Sequence, residues 1–169
     1  VLSVRYNPVE TDIFASCGSD RSIALYDVRM ETPLKKIIMQ TKSTKLCWNP
    51  MEAFNFTVAN EDTNLYSYDV RKMDIATCVH KDFVNAVMDV DYSPTGREFV
   101  AGSYDRTIRL FDYNAGHSKD CYHTKRMQRI YTVAFSSDSR FVLSGSDDTN
   151  VRIWKADASD NLGVLKGRQ

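Results

Sequence analysis

The sequence predicts an all-β fold built from four copies of one four-strand unit. The clearest copy is the segment Ser139 to Lys155, in which an apolar run enters a Ser/Gly/Asp turn and leaves as an alternating run that ends on Trp154. Two short apolar runs around such a turn are typical of a β-hairpin. Three further segments with this pattern end at Asp27, Asp69 and Asp112. The turn aspartates of the four copies lie 42, 43 and 43 residues apart, at Asp20, Asp62, Asp105 and Asp148.

The length of the repeat indicates a particular all-β architecture. A period of about 40 to 45 residues, with four strands per unit and a Trp-Asp-like end to the third strand, is typical of WD40 β-propeller blades. We therefore predict four consecutive blades at about residues 1–40, 41–80, 81–124 and 125–165, with a C-terminal tail beginning at 166–169.

Apolar and alternating runs place the strands of each unit in order. In unit one they fall at 1–6, 13–17, 23–26 and 34–39, and in unit two at 45–48, 54–59, 65–68 and 77–79. Unit three has them at 87–92, 99–103 and 107–111, and unit four at 130–135, 141–143 and 151–154, with Leu162, Val164 and Leu165 as a last outer strand. The first strands are closed at equivalent places by Pro8, Pro50, Pro94 and Ser137, and proline ends ladder pairing.

The composition argues against several classes of protein. The 22 basic and 22 acidic residues cancel, so there is no global electrostatic case for binding nucleic acid or a membrane, although a local patch remains open. No apolar run approaches the roughly 20 residues of a membrane helix, and we expect a soluble protein. The four cysteines form no C-x-x-C pair, which favours buried free thiols of a reducing compartment over disulfides or zinc.

The chain has no initiator Met and opens on an innermost strand. Because a blade must be covered on both faces by its neighbours, a partial ring would leave the apolar outer faces of its first and last blades exposed to solvent. We therefore expect further blades before Val1, with a closed four-bladed ring as the alternative.

WD40 blades often bury a hydrogen-bonded set of four side chains, because each polar group satisfies the next. The set comprises a His before the first strand, a Ser or Thr in the second, the turn Asp and the Trp that ends the third. Unit four carries all of it, as His123, Ser144, Asp148 and Trp154. Units one to three carry parts of it, namely Ser16, Asp20, Asp62, His80 and Asp105.

The Ser, His and Asp of this set do not indicate a hydrolase. The trio recurs in incomplete form, and the chain has neither a G-x-S-x-G elbow nor a Gly-rich phosphate loop. We predict a protein that is not an enzyme, with no cofactor, no metal site and no small-molecule substrate; an enzyme is the least favoured alternative.

Basic residues gather on the rim that carries the aspartate turns. The loop entering the first strand of unit four carries Lys125, Arg126 and Arg129. The turns and the equivalent loop of other units add Arg21, Arg106, Lys42 and Lys45. Such a cluster can neutralise phosphates or dock an acidic partner. The alternative is a solvated loop whose cations pair with the turn aspartates.

Several segments have a more specific sequence than the general repeat requires. These segments are N-P-V-E-T at 7–11, C-W-N-P-M-E-A-F at 47–54, A-N-E-D at 59–62, D-V-D-Y-S-P-T-G at 89–96, Y-H-T-K-R-M-Q at 122–128 and L-G-V-L at 162–165. Together they resemble the Sof family, the suppressor-of-fibrillarin WD40 proteins. The resemblance implies the last four blades of a seven-bladed ring. It also implies a non-catalytic scaffold of the nucleus and nucleolus, within the small-subunit processome and associated with the box C/D small nucleolar ribonucleoprotein and pre-rRNA.

A second function class remains open, namely a substrate receptor of a cullin-type ubiquitin ligase. Members of that group share a W-D-x-R box at the end of the third strand of a blade. This chain matches the box twice except for Tyr in place of Trp, and the matching residues are Asp27, Arg29, Asp69 and Arg71. The box is a weak signal, because Asp and Arg at this place often only close the blade.

Overall fold

The structure, a computed structural model, describes residues 1–161. Strands dominate it, and they form four separate antiparallel sheets in chain order. The predicted outer strand at 162–165 and the predicted tail at 166–169 lie outside the described residues.

Each sheet is an up-and-down set of consecutive strands. The first sheet contains β1 (Ser3–Tyr6), β2 (Ile13–Cys17), β3 (Ser22–Asp27) and β4 (Lys35–Ile38). The second contains β5 (Ser43–Trp48), β6 (Asn55–Asn60), β7 (Leu65–Asp69) and β8 (Cys78–His80), with a short 3-10 helix at Val70–Lys72. The third contains β9 (Val87–Tyr92), β10 (Glu98–Ser103), β11 (Ile108–Asp112) and β12 (Ser118–Tyr122). The fourth contains β13 (Ile130–Phe135), β14 (Phe141–Ser146) and β15 (Val151–Lys155).

The strand β12 was not among the sequence-based expectations. Its residues alternate between half-buried and exposed positions and are mostly polar. An outer strand has water along its free edge, so its apolar pattern is weak.

One turn geometry recurs between the second and third strands of every sheet. In the first sheet the N–H of Arg21 donates to the carbonyl of Gly18 (3.2 Å), and the N–H of Gly18 donates to the carbonyl of Ser22 (3.1 Å). This is a tight turn followed by one residue in the left-handed region, a common three-residue hairpin loop. The left-handed residues of the four turns are Arg21, Thr63, Arg106 and Thr149, with φ of 63°, 76°, 69° and 64°.

The hydrophobic core is divided into three clusters that lie between successive sheets. Ala15 and Ile23 of the first sheet pack with Phe56 and Val58 of the second. Ala59 and Leu65 of the second sheet share the next cluster with residues of the third, and Val100 of the third shares the last cluster with residues of the fourth. The four sheets are therefore stacked face to face around their innermost strands β1, β5, β9 and β13, which contact one another in sequence. This is the arrangement of a partial β-propeller.

Two opposite rims follow from this arrangement. We call the edge that carries the four left-handed turns the turn rim, and the edge with the turns between first and second strands the opposite rim. In the second, third and fourth sheets a hydrogen bond joins the loop entering the innermost strand to the turn of the same sheet, for example Glu61 N–H to Lys42 carbonyl (3.0 Å) and Asp147 N–H to Arg129 carbonyl (2.9 Å). On the turn rim each of these sheets therefore presents its entry loop and its turn side by side.

The four cysteines are free thiols in the structure, and the expectation that they are buried is wrong for Cys121. Cys17 is buried and Cys121 is exposed, because Cys121 lies on the outer strand β12. Burial raises the pKa of the Cys17 thiol to about 11, so this group is uncharged at neutral pH.

Candidate functional site

A buried chain of hydroxyl groups connects the second and third sheets. The Oγ of Ser67 lies 2.9 Å from Nε2 of His80 and 2.7 Å from Oγ1 of Thr57, which lies 2.6 Å from the OH of Tyr92. At the other end, Nδ1 of His80 lies 2.6 Å from the carbonyl oxygen of Ala115. Because a carbonyl only accepts, Nδ1 carries the proton, and the order of donation is Tyr92, Thr57, Ser67 and His80.

These hydrogen bonds correct the expectation that His80 bonds to Asp105. Both ring nitrogens of His80 are already used, and the ring packs edge-on against Phe99 at 4.8 Å between centroids. The carboxylate of Asp105 instead accepts from the N–H (2.9 Å) and Oγ1 (2.6 Å) of Thr107 in its own turn. Burial lowers the pKa of His80, which keeps the imidazole neutral. His80 is therefore a structural group.

In the fourth sheet the structure brings together only part of the expected set. The indole N–H of Trp154 donates to Oγ of Ser144 at 2.8 Å. Asp148 instead pairs with the guanidinium of Arg152 and accepts from the hydroxyl of Ser146. The Arg152 hydrogen bond holds the pKa of Asp148 well below its usual range.

His123 is separated from this pair. Its side chain is exposed whereas Ser144 is buried, and the neighbouring Tyr122 is the residue that stacks on Trp154, at 5.3 Å between ring centroids. The expected link from His123 to Asp148 is therefore replaced by the Arg152 pair.

The turn aspartates of the first two sheets also close their own turns. Asp20 accepts from the hydroxyl of Ser22 at 2.7 Å, and this bond lowers its pKa. Asp62 accepts from the N–H of Asn64 at 3.0 Å. Ser16 is a half-buried residue of β2.

Six of the seven predicted rim cations are exposed on the turn rim. They are Arg21, Lys42, Arg106, Lys125, Arg126 and Arg129. Lys45 is the exception, because its Nζ lies 3.2 Å from Oδ1 of the buried Asp89. It stabilises the interior and does not belong to the surface cluster.

Asp89 and Asp91 hold innermost strands together. Oδ2 of Asp89 accepts from Oγ1 of Thr132 (2.8 Å) and from the N–H of Val133 (3.0 Å). Oδ2 of Asp91 accepts from the N–H of Phe135 at 2.8 Å, and burial raises its pKa. Both carboxylates of β9 thus bind β13, and neither is arranged as an acid/base pair.

The two Asp-x-Arg boxes lie on the opposite rim. Asp27 accepts from the N–H of Arg29 at 2.9 Å, and Asp69 accepts from the N–H of Arg71 at the same distance. The guanidinium of Arg29 pairs with Asp12 but its side chain is 75% exposed. The guanidinium of Arg71 lies 3.8 Å from the ring centroid of Phe54. Each aspartate therefore holds a local backbone turn, whereas the side chains of both arginines remain accessible.

Comparison with known proteins places the chain in a family. Residues 75–112 and 117–155 match the family described as WD domain, G-beta repeat. DDB1- and CUL4-associated factor 13 from Danio rerio is 62% identical over 167 residues, which is 99% of this chain and 38% of that protein. Protein SOF1 from Saccharomyces cerevisiae is 54% identical over 120 residues, which is 71% of this chain and 24% of that protein. The chain belongs to the Sof family of WD40-repeat proteins.

The similarity extends over the whole Sof-family chain. DDB1- and CUL4-associated factor 13 from Homo sapiens is 54% identical over 169 residues, which is 100% of this chain and 38% of that protein. The Sof-family chain thus spans 38% of the length of these relatives. The predicted WD40 propeller fold and the resemblance to the Sof family are confirmed.

In the part that the structure describes, no helix is both long and apolar enough to cross a membrane. Within residues 1–161, no three His, Cys, Asp or Glu side chains are grouped so that they could hold a metal ion.

The sequence pattern missed several residues of the Sof-family chain that the structure brings together. Thr57 and Ser67 pair across β6 and β7, and Tyr92 comes from the next sheet. The signal that could have found them is the alternation of polar residues at buried strand positions. On the turn rim, Tyr104 and Tyr131 lie beside the predicted Arg129.

Proposed function

We propose that this protein is a non-catalytic scaffold of the small-subunit processome, which acts in 18S pre-rRNA processing in the nucleolus. The 54% identity with Protein SOF1 carries the proposal, because the Sof-family resemblance implies this role. Its partners are processome proteins and the box C/D small nucleolar ribonucleoprotein, with contact to pre-rRNA. The four sheets are then the last four blades of a seven-bladed ring, with the predicted boundaries near 40, 80 and 124.

The polar side chains support a scaffold over an enzyme. Ser144 is bonded to Trp154, and His80 is bonded to Ser67 and Ala115. The first bond joins two strands of one sheet and the His80 bonds join two sheets, so these groups are engaged in the fold. The accessible groups lie on the two rims, which offer loops from several adjacent blades to partners.

Replacement of the endogenous protein tests the role in rRNA processing. Depletion should cause precursors of 18S rRNA to accumulate, and the full-length wild-type protein should restore processing. The variant Ser144→Ala should also restore it, because a scaffold does not need the Ser144 hydroxyl for chemistry. Northern analysis of precursors makes the measurement. Normal 18S rRNA after depletion would contradict the role, and failure of a folded Ser144→Ala protein would favour an enzyme.

A second function, as substrate receptor of a cullin-type ubiquitin ligase, is favoured by two observations. The relatives named DDB1- and CUL4-associated factor 13 are 53–62% identical to this chain. Their name states an association with DDB1 and CUL4, and in this chain Arg29 and Arg71 are accessible at equivalent places on one rim.

Adaptor binding by the full-length protein tests the second function. Combined Arg29→Ala and Arg71→Ala should abolish co-precipitation of DDB1. Arg97→Ala is the matched control, because Arg97 is an exposed arginine of the same rim whose backbone carbonyl, not its side chain, makes the hydrogen bond to Tyr113. Unchanged recovery of DDB1 by the double variant would show that the two Asp-x-Arg boxes do not bind it.

A further inference from the structure

Two tyrosines and an arginine form a small cluster where the third and fourth sheets meet on the turn rim. The ring centroids of Tyr104 and Tyr131 lie 5.6 Å apart with the planes at 82°. The guanidinium carbon of Arg129 lies 5.4 Å from the ring centroid of Tyr104. Tyr104 belongs to the turn after β10, and Tyr131 is the second residue of β13. The three side chains therefore join two sheets at the surface.

This aromatic cluster does not contribute to the hydrophobic core. Neither Tyr104 nor Tyr131 belongs to any of the three core clusters, and Tyr131 is 45% exposed. The pairing of β13 with β14 skips Tyr131, because Ile130 pairs with Ser146 and Thr132 pairs with Gly145. Such a bulge turns one side chain out of the regular alternation. Tyr131 therefore lies outside the core and faces the turn rim.

Exposed cations lie on the same rim as the aromatic cluster. Met127 is 1% exposed and anchors the loop that enters β13, so the neighbouring Lys125 and Arg126 are left exposed. Arg106 is exposed in the same turn as Tyr104. With Arg129, four cations lie on this part of the rim.

The acidic groups nearby are mostly engaged. Asp105 accepts hydrogen bonds within its turn, and Asp148 pairs with Arg152. Asp147 is exposed and opposes the cations, and its N–H donates to the carbonyl of Arg129. Because the hydrogen bonds of Asp105 leave its charge in place, Asp105 and Asp147 oppose the four cations, and the local balance still favours an anion although the chain as a whole is neutral.

We propose that Tyr104, Tyr131 and Arg129 form a stacking platform for unpaired nucleotides of RNA, with Lys125, Arg126 and Arg106 binding the phosphates. Aromatic faces and guanidinium planes stack on bases without regard to sequence, and lysine and arginine neutralise the backbone. A duplex offers no free base faces to the tyrosine rings, and an acidic peptide has no bases that could stack on these rings. The proposal rests on the role in pre-rRNA processing and names the form of RNA that the rim binds.

Binding of a fluorescein-labelled 12-nucleotide oligouridylate to the full-length protein tests the platform. Fluorescence anisotropy should show that Tyr104→Ala with Tyr131→Ala weakens binding by about tenfold or more, since each stacked base contributes strongly. Tyr104→Phe with Tyr131→Phe is the matched control and should bind like the wild type, because the rings remain. Asp147→Asn should tighten binding, and Lys125→Glu with Arg126→Glu should weaken it and flatten its salt dependence.

Several results would overturn the platform. They are unchanged affinity of the double alanine variant, equal loss in the phenylalanine control, and binding of a 12-base-pair duplex or polyglutamate as tight as that of the oligouridylate. The wild-type protein gives a second measurement that does not depend on variant folding. Photo-crosslinks from 4-thiouridine in the probe should map to peptides containing Tyr104 or Tyr131, and crosslinks confined to other peptides would contradict the proposal.

The failures of the two proposals are distinguishable. If depletion of the protein blocks 18S processing while the double alanine variant binds the oligouridylate normally, the processing role stands and the platform falls. If the variant loses binding but depletion leaves 18S rRNA normal, the platform exists and the processing role falls.

Discussion

The hydroxyl of Thr57 lies in the middle of the buried chain from Tyr92 to His80. Thr57→Val keeps the side-chain shape but leaves the hydroxyls of Tyr92 and Ser67 without this partner in a buried site. We expect the free energy of unfolding to fall by about 1–3 kcal/mol, as measured by urea denaturation. Thr57→Ser keeps the hydroxyl and is the control; a loss as large in Thr57→Ser as in Thr57→Val would contradict the assignment to the hydrogen bonds.

His80 makes the stability of the fold depend on pH. Burial holds its pKa below the ordinary value, whereas the unfolded imidazole takes up a proton near pH 6.5. Below about pH 6.5 the unfolded state therefore binds more protons, so stability is complete above this value and is lost as the pH falls.

Urea denaturation between pH 5 and 7 checks the effect of His80. We expect the stability of wild type to decrease with acid more steeply than that of His80→Gln. His123→Asn, which changes an exposed histidine outside the buried hydroxyl chain, is the control. Parallel pH profiles for the wild type and His80→Gln would contradict the assignment.

At the level of single residues, the sequence predicted contacts within a hairpin better than contacts between sheets. Ser144 and Trp154 come together because they lie on adjacent strands of one hairpin. His80 was expected to bond to Asp105 of the following unit. It does reach that unit, but at the carbonyl of Ala115, and its other ring nitrogen bonds to Ser67 of its own sheet. Which groups a linker side chain meets depends on packing that spacing does not encode.

At the level of elements, the four left-handed turn residues are under unequal strain. Thr149 has φ of 64°, and the left-handed region is unfavourable for a side chain branched at Cβ. Thr149→Gly should therefore raise the free energy of unfolding by roughly 0.5–1 kcal/mol, after the entropy lost by glycine is subtracted. Chemical denaturation makes the measurement.

Thr124→Gly is the matched control for this turn. Thr124 is an exposed loop residue, and it is not among the described residues with positive φ, so glycine there should lower stability or leave it unchanged. If both variants shift stability equally, the left-handed geometry of Thr149 is not the cause.

Strands were predictable where both faces are covered and harder to predict at the edge. β6 and β10 contain almost only buried residues, and the predicted ranges 54–59 and 99–103 overlap them. β12 has half-buried and exposed residues in alternation and carries Lys119 and Asp120, so its composition resembles that of a loop. Its hydrogen bonds to β11 are set by the neighbouring strand and not by its own side chains.

At the level of the whole molecule, the outer faces of the first and fourth sheets expose apolar side chains. Val151 and Ile153 of β15 are 72% and 68% exposed, and Tyr6 and Ile38 of the first sheet are also exposed. Exposed apolar surface of this kind promotes association. We expect residues 1–169 alone to self-associate, and Val151→Thr with Ile153→Thr to reduce the association, as measured by sedimentation velocity.

The control for self-association is a conservative change on the same strand. Val151→Ile with Ile153→Val keeps the apolar face and should leave the sedimentation profile unchanged. A wild-type chain that sediments as a monomer at high concentration would contradict the expectation.

The repeat period predicted the division into sheets, because each period contains the strands of one sheet and one turn aspartate. It did not predict the surfaces that the sheets create together. The tyrosines of the turn rim come from two different units, and only the stacking of the third sheet on the fourth brings Tyr104 to Tyr131.

Asp89 of β9 is only 2% exposed. Its carboxylate pairs with Lys45 of β5 and accepts hydrogen bonds from Thr132 and Val133 of β13, so it links three consecutive innermost strands. If one of these strands moved away, a charge would stay in the interior with too few partners, which is very unfavourable. Separating one of these blades from the others is therefore unfavourable. Under mechanical load we expect this region to unfold cooperatively, in a single event.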